Sequence, residues 1–262
     1  MNESQIKQMI ETVRSADKVL VGIGEECQYD WLLQADQYDA ITSKWSERSD
    51  LFPFFQKWSM DHCPDEVLAG GLSNLAALLH DKDYYVVSTG IDDYIWNCGL
   101  KEEKIVTPCG GFRMVQCDGN CDDKLYYLSD EFVDQIDRLI TKSEGVEQIE
   151  EAFCPLCGKP IVHNQIGVSN YCEKGYSKAW ARYQEWLQST IHKKLCVIEL
   201  GASLGFASII RNPFEKMVFY NQEASFFRIH TMLSVVSDDI KERSVLIKGS
   251  SKEILNELGS YL

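Results

Sequence analysis

Apolar and polar residues follow two periods along this chain. Residues 2–17 (NESQIKQMIETVRSAD) show the spacing of an amphipathic helix, as do residues 65–80 and 174–190. Between such segments stand short, almost uninterrupted apolar runs: VLVGIG (19–24), DYYVVSTG (83–90), KIVTP (104–108), KLCVIELG (194–201), SFFRIH (225–230) and SVLIKG (244–249). Runs of this kind predict strands of a parallel sheet buried on both faces. A helix is expected at 92–100, another from near 207, and a last one in SSKEILNEL, where Ser251 is a candidate cap although Glu253 lies only two residues on.

The pattern changes in the middle of the chain. Short alternating stretches, FRMVQC and KLYYL, predict strands there, followed by an acidic helix near 129–143. Residues 29–64 carry Tyr29, Trp31, Tyr38, Trp45, Phe52, Phe54, Phe55 and Trp58, which predict short helices and a loop with an apolar face. The expected architecture is α/β: a Rossmann-like parallel sheet with an inserted small zinc-ribbon module. The sheet domain takes residues 1–112 and 166–262, the ribbon 113–165, and 28–64 serve as a helical lid or part of a small domain.

Composition narrows the classes of function. A net charge of −14 over 262 residues disfavours nucleic acid as a partner, and no basic cluster is longer than a pair. No apolar run approaches the roughly 18–20 residues of a membrane span, and the first helix lacks the apolar centre of a signal peptide, so a cytoplasmic location is expected. Ten cysteines in a reducing compartment point to metal ligation or buried thiols rather than disulfides.

Four of those cysteines are paired. Cys117 and Cys121 are followed, after 32 intervening residues, by Cys154 and Cys157. Two tight turns that each present two thiolates make a four-sulfur site of the kind structural Zn²⁺ takes, with no position left for water or chemistry. Gly22 and Gly24 follow the first strand, where glycine lets backbone N–H groups approach a pyrophosphate or simply lets elements pack. Glu25 and Glu26 come next and would repel a phosphate unless they point away; Arg48 is a nearby counter-charge. Polar residues cluster at the other strand ends: Ser88, Thr89, Gly90 and Asp92, then Cys109 and Gly110, then Gly201 and Ser203, then His230. Each has a bland alternative. Asp92 suits a helix cap, Cys109 a buried hydrophobe, and His163 and His230 a local hydrogen bond.

Assembled in order, these residues resemble the sirtuin family of NAD-dependent deacylases and ADP-ribosyltransferases. Gly22-Ile23-Gly24 is similar to the family's GAG turn, Ser88–Asp92 lies where it carries T-x-N-x-D, and Cys98-Gly99-Leu100 follows like its AG[IL]. Pro108-Cys109-Gly110 stands where it carries the catalytic His-Gly, and Gly201-Ala202-Ser203-Leu204 resembles GTSL. CPLCGKP from Cys154, ELGASLGF from Glu199 and IRNPFEKM from Ile210 resemble the macrodomain-linked bacterial branch (class M), known for protein ADP-ribosylation. The resemblance implies an NAD or ADP-ribose site at Gly22, Gly24, Thr89, Asp92, Gly201, Ser203 and His230, a protein acceptor, and zinc on the four cysteines.

Departures from the family bear on activity. Cys109 replaces the histidine base, Gly90 the asparagine, and His230 the asparagine of the strand that usually ends I-N. A general base contributes about 10²–10⁴-fold, and a thiol replaces it only if its pKa falls well below about 8.5. The resemblance therefore implies ADP-ribosyl transfer or NAD cleavage, with Asp92 and Cys109 as candidate catalytic residues, in preference to deacylation. A silent fold that binds NAD, ADP-ribose or a protein is the second reading, and a zinc-stabilised interaction module without nucleotide the third.

Overall fold

Apolar runs are buried on both faces where they lie side by side in a covered sheet, and the six runs pair in one sheet with the Ser244–Lys248 strand at an edge and only Ile247 of it buried. The computed structural model describes residues 3–30, 51–142 and 152–262. Arg48, Trp31, Tyr38 and Trp45 fall outside them. Two units are present: Met1–Gln28 with Glu66–Cys109 and Tyr176–Leu262, and Tyr29–Asp65 with Gly110–Gly175.

The first unit holds β1 (Lys18–Ile23), β2 (Asp83–Ser88), β3 (Ile105–Val106), β6 (Leu195–Leu200), β7 (Ser225–His230) and β8 (Ser244–Lys248) in one sheet ordered β3-β2-β1-β6-β7-β8. Every pairing is parallel. All six residues of β6 are buried, and five of six in β1, β2 and β7. The chain runs outward in one direction from β1 and in the other from β6. The β1–β6 pair is thus a topological switch point, the place at which open parallel sheets generally take ligands in a crevice beyond the strand ends.

Helices cover the sheet by their apolar stripes. α1 (Glu3–Ser15) buries Ile6, Met9, Ile10 and Val13. α3 (Glu66–Leu79) packs against α7 (Ser251–Leu258) so closely that a Cβ on Gly71 would stand 2.9 Å from that of Leu255. Asn74 closes the contact, donating to the carbonyls of Leu255 and Asn256 at 3.1 and 3.0 Å. α5 (Ser177–Gln188) and α6 (Arg211–Tyr220) bury Tyr183, Trp186, Phe214 and Val218 in a cluster with Leu20, Val197 and Phe226.

The second unit pairs β4 (Gly110–Cys117) antiparallel with β5 (Ile161–Gln165). α2 (Phe52–His62) and α4 (Asp130–Lys142) share a core of Phe54, Phe55, Val115, Phe132 and Ile136. The Trp58 indole donates to Asp137 at 3.0 Å and ties the two helices. His163 on β5 is buried beside Phe54 and Phe112, with ring centroids 5.2 and 4.9 Å away.

Several local expectations give way. Residues 92–100 form a single short 3₁₀ turn, Tyr94–Trp96, because Asp92 Oδ1 accepts from the Tyr94 amide at 3.1 Å and Gly99 turns left-handed at φ +95°. α6 starts at Arg211, after turns that close Phe206 and Ala207. KLYYL contributes one bridge, Tyr126 to Val115, with Tyr127 67 % exposed. The cap of α7 is Ser250, whose hydroxyl accepts from Glu253 N; counted from there, Glu253 has capping-box spacing. Ser251 is the first helical residue and donates to Ile229 O at 3.1 Å.

Candidate functional site

Each cysteine pair sits on its own turn. The Asn120 amide donates to Cys117 O at 2.7 Å with Asn120 left-handed, and the Gly158 amide donates to Cys154 O at 2.8 Å with Gly158 left-handed. One backbone bond joins the turns, from Asp118 N to Pro160 O at 2.9 Å, and another closes the second turn, from Cys154 N to Lys159 O at 2.7 Å. All four Sγ atoms fall within 4.8 Å of one another, with 3.4 Å between Cys117 and Cys157 and 3.6 Å between Cys121 and Cys154. A tetrahedral ion with metal–sulfur bonds of about 2.3 Å requires sulfur spacings of about 3.8 Å, so the set fits a metal such as zinc. The Leu156 and Cys157 amides favour thiolate at Cys154, bringing its pKa down to about 7.

The carboxyl ends of the parallel strands gather the other candidates. The ladder runs past the strands themselves: Gly24 N donates to Leu200 O at 2.8 Å, Thr89 N to Ile23 O at 2.9 Å, Gly201 N to Ile229 O at 2.8 Å and Glu26 N to Gly201 O at 3.0 Å. The glycine requirement is met by the protein's own packing. A Cβ on Gly24 would lie 2.2 Å from Ala202 Cα, and one on Gly22 2.5 Å from Ile210. Gly201 is left-handed at φ +63° and backs onto Glu26, where a Cβ would stand 2.5 Å away. These contacts bring the turns after β1 and β6 together.

The two carboxylates occupy the crevice rather than pointing out of it. Glu25 Oε2 accepts from the Ser203 amide at 2.8 Å and Oε1 from Thr89 Oγ1 at 3.1 Å, bridging the turns after β2 and β6. Glu26 accepts from the Thr231 amide at 3.2 Å and from its hydroxyl. His230 is buried, and its Nδ1 accepts from the amides of Met232 and Leu233, both at 3.1 Å. Glu26 Oε1 also lies 3.1 Å from that nitrogen, but its donors come from Thr231. Burial lowers the His230 pKa against the pull of Glu26, so the ring is neutral at pH 7.

Asp92 is buried and, besides holding Tyr94, places Oδ2 3.7 Å from where a side chain on Gly90 would begin. Gln28 lines the same spot, 3.8 Å away. Cys109 is fully buried, and burial together with Glu25 pushes its thiol up to about 12. At neutral pH it keeps its proton and cannot serve as a general base. Leu204 and Met232, which follow Ser203 and Thr231, expose 66 % and 79 % of their surface.

Motif residues beyond the strand ends prove to have a different task. Glu199 and Arg228, both fully buried, face each other on β6 and β7; Arg228 Nε and Nη2 each stand 2.8 Å from a Glu199 oxygen. Arg211 adds a bond to Glu199 at 3.1 Å, then reaches Ala202 O at 3.0 Å and Leu233 O at 3.2 Å. Burial pushes the Glu199 carboxyl up, and the two guanidiniums pull against it. Arg211 thereby fixes the turn that presents Ser203. The sequence held the signal for this role in an arginine opening a helix directly after an apolar residue, but an arginine there reads equally well as surface.

A parallel sheet with this order, joined in one chain to a four-cysteine ribbon, defines the Sir2 fold. A solved Sir2 enzyme is similar over 98 % of this chain and 96 % of its own, at a TM-score of 0.55 and 18 % identity. A Sir2 homologue solved with NAD is similar over 97 % and 93 %, at 0.56 and 10 %, and a Sir2 protein with p53 peptide and NAD⁺ over 98 % of each, at 0.54 and 13 %. In sequence, a protein ADP-ribosyltransferase of Staphylococcus aureus (strain Mu50 / ATCC 700699) is 22 % identical over 179 residues, 65 % of this chain. The chain matches about half of that relative's length, 54 %. No family model matches. Among the described residues no helix is long and apolar enough to cross a membrane.

Proposed function

We propose that this Sir2-fold protein binds NAD at the carboxyl ends of β1, β2 and β6 and transfers ADP-ribose to a protein acceptor, and that it does not remove acyl groups. The observation that carries this reading is Cys109. It stands where the resemblance expects the deacylation base, and its buried thiol, at about 12, holds its proton. NAD, when bound, supplies the ADP-ribosyl group, the bond to nicotinamide being exchanged for one to the acceptor's own nucleophile. For that exchange the chain needs to orient, exclude water and offer negative charge to an electron-poor ribose. We assign the last task to the buried Asp92 carboxylate, while Thr89, Ser203 and the turns at Gly24 and Gly201 form the floor. Zinc on Cys117, Cys121, Cys154 and Cys157 holds the ribbon, which spans about 113–165, and does no chemistry. The ADP-ribosyltransferase relative and the motifs shared with the class M branch support the same assignment.

The assay is incubation with NAD labelled on its adenylate. Nicotinamide release and label on protein are expected, and Asp92→Asn abolishes both. Turnover of an acyl-lysine peptide without label transfer would overturn the reading. Undiminished transfer by Asp92→Asn would move the site elsewhere.

The Glu25 bridge favours a second reading, a Sir2-fold binder that is catalytically silent. Calorimetry with ADP-ribose separates the two when combined with the label assay: binding without nicotinamide release is the silent case.

A further inference from the structure

Four amides at the switch point are committed to the sheet and its turns. Gly24, Glu26, Thr89 and Gly201 each donate to a carbonyl of a neighbouring strand or turn. At the mouth the Ser203 amide donates to the Glu25 carboxylate, and the Thr89 hydroxyl lies 3.1 Å from the same carboxylate and 3.4 Å from Ile23 O. The Ser203 hydroxyl is turned away and accepts from Gly205 N at 3.1 Å. Glu25 is only half-buried and rides on a single 3₁₀ turn, Glu25–Cys27. Its carboxylate is a bidentate anion on an N–H and an O–H, with the charge and acceptor geometry of a phosphate edge.

We infer that Glu25 decides what this crevice admits: its carboxylate is an internal competitor for the anion seat formed by Ser203 N and Thr89 Oγ1, and a pyrophosphate-bearing ligand binds only by displacing it. The inference rests on the nucleotide reading for the identity of that ligand, though not for the seat. Two anions cannot share one N–H, and leaving both in place would add like-charge repulsion to an unpaired acceptor. The ligand's apparent affinity is therefore reduced by the fraction of molecules in which Glu25 has swung out. A nucleoside without phosphate meets no such competition. Glu26 is a different case: it is held by Thr231, off the seat.

The test is calorimetry with inorganic pyrophosphate, ADP-ribose and adenosine on the wild type, Glu25→Ala and Glu25→Gln, with a thermal melt of each. Glu25→Ala is expected to bind pyrophosphate and ADP-ribose about ten- to a hundredfold more tightly than the wild type. Glu25→Gln falls between, since its amide oxygen still reaches Ser203 N without the charge. Adenosine binding stays unchanged. Unaltered pyrophosphate affinity in both variants overturns the inference. An equal gain for adenosine also overturns it, because that would be a general opening of the crevice. A gain for pyrophosphate with none for ADP-ribose leaves the competitor standing and removes the nucleotide reading. Should Glu25→Ala not fold, the near-isosteric Glu25→Gln decides on the same criterion.

Discussion

His163 shows how much a single buried side chain can dictate. It lies between two phenylalanine rings, and neither ring nitrogen makes a well-formed hydrogen bond. Burial drives its pKa down to about 3, with Lys57 adding to the shift and the backbone of Phe112 and Pro53 opposing it. The sign follows from proton linkage. Between about pH 6.5, where the unfolded chain begins to take up the proton, and pH 3, the unfolded state binds more protons than the folded one, so stability falls as pH falls through that window. His163→Leu removes the group and its proton. Urea melts of the two proteins from pH 7 to pH 4 are expected to diverge, the wild type losing stability more steeply; parallel curves would mean that the ring is not held neutral. By its sequence alone His163 reads as an acid–base candidate or a histidine satisfied by a local hydrogen bond. No spacing in the chain announces the packed aromatic cage, because Phe54 and Phe112 come from remote segments.

At the scale of elements, the inner strands of the parallel sheet were legible because they are buried on both faces and therefore read as unbroken apolar runs; SFFRIH matches β7 to the residue. β5 was not legible. Its sequence, IVHNQ, carries polar residues whose burial depends on partners far away: Asn164 donates to Gln116 at 2.7 Å and to Cys172 O at 3.0 Å. The helix expected at 92–100 failed for a local reason, a side chain competing with the backbone for the Tyr94 amide. The paired cysteines were legible because ligand spacing is a property of two turns. If β4, β5 and their turns are held by a thiolate-bound ion, one zinc per chain is expected by elemental analysis, and Cys154→Ser or a strong chelator should melt the ribbon and lower the thermal midpoint. Unchanged melting after complete metal removal would show the ribbon to stand on its core alone.

For the whole molecule, the sequence marked the strand ends where the candidates would lie and flagged Glu25 and Glu26 as awkward neighbours of a phosphate. It could not show where their carboxylates point. That depends on Gly24 meeting Ala202 and on Arg211 fixing the turn that carries Ser203, contacts between residues roughly 180 positions and about ten positions apart. The structure brings Thr89, Ser203 and Glu25 to one bridge, with Cys109 near enough to feel the Glu25 charge. His230 and Glu26 stand beside it on the β7 side. The central claim is that this bridge marks an ADP-ribose site, and a crystal soaked with ADP-ribose tests it most directly. The account predicts a phosphate oxygen within hydrogen-bond reach of Ser203 N and Thr89 Oγ1, with the Glu25 carboxylate displaced. ADP-ribose bound elsewhere, with Glu25 still on both donors, would contradict it.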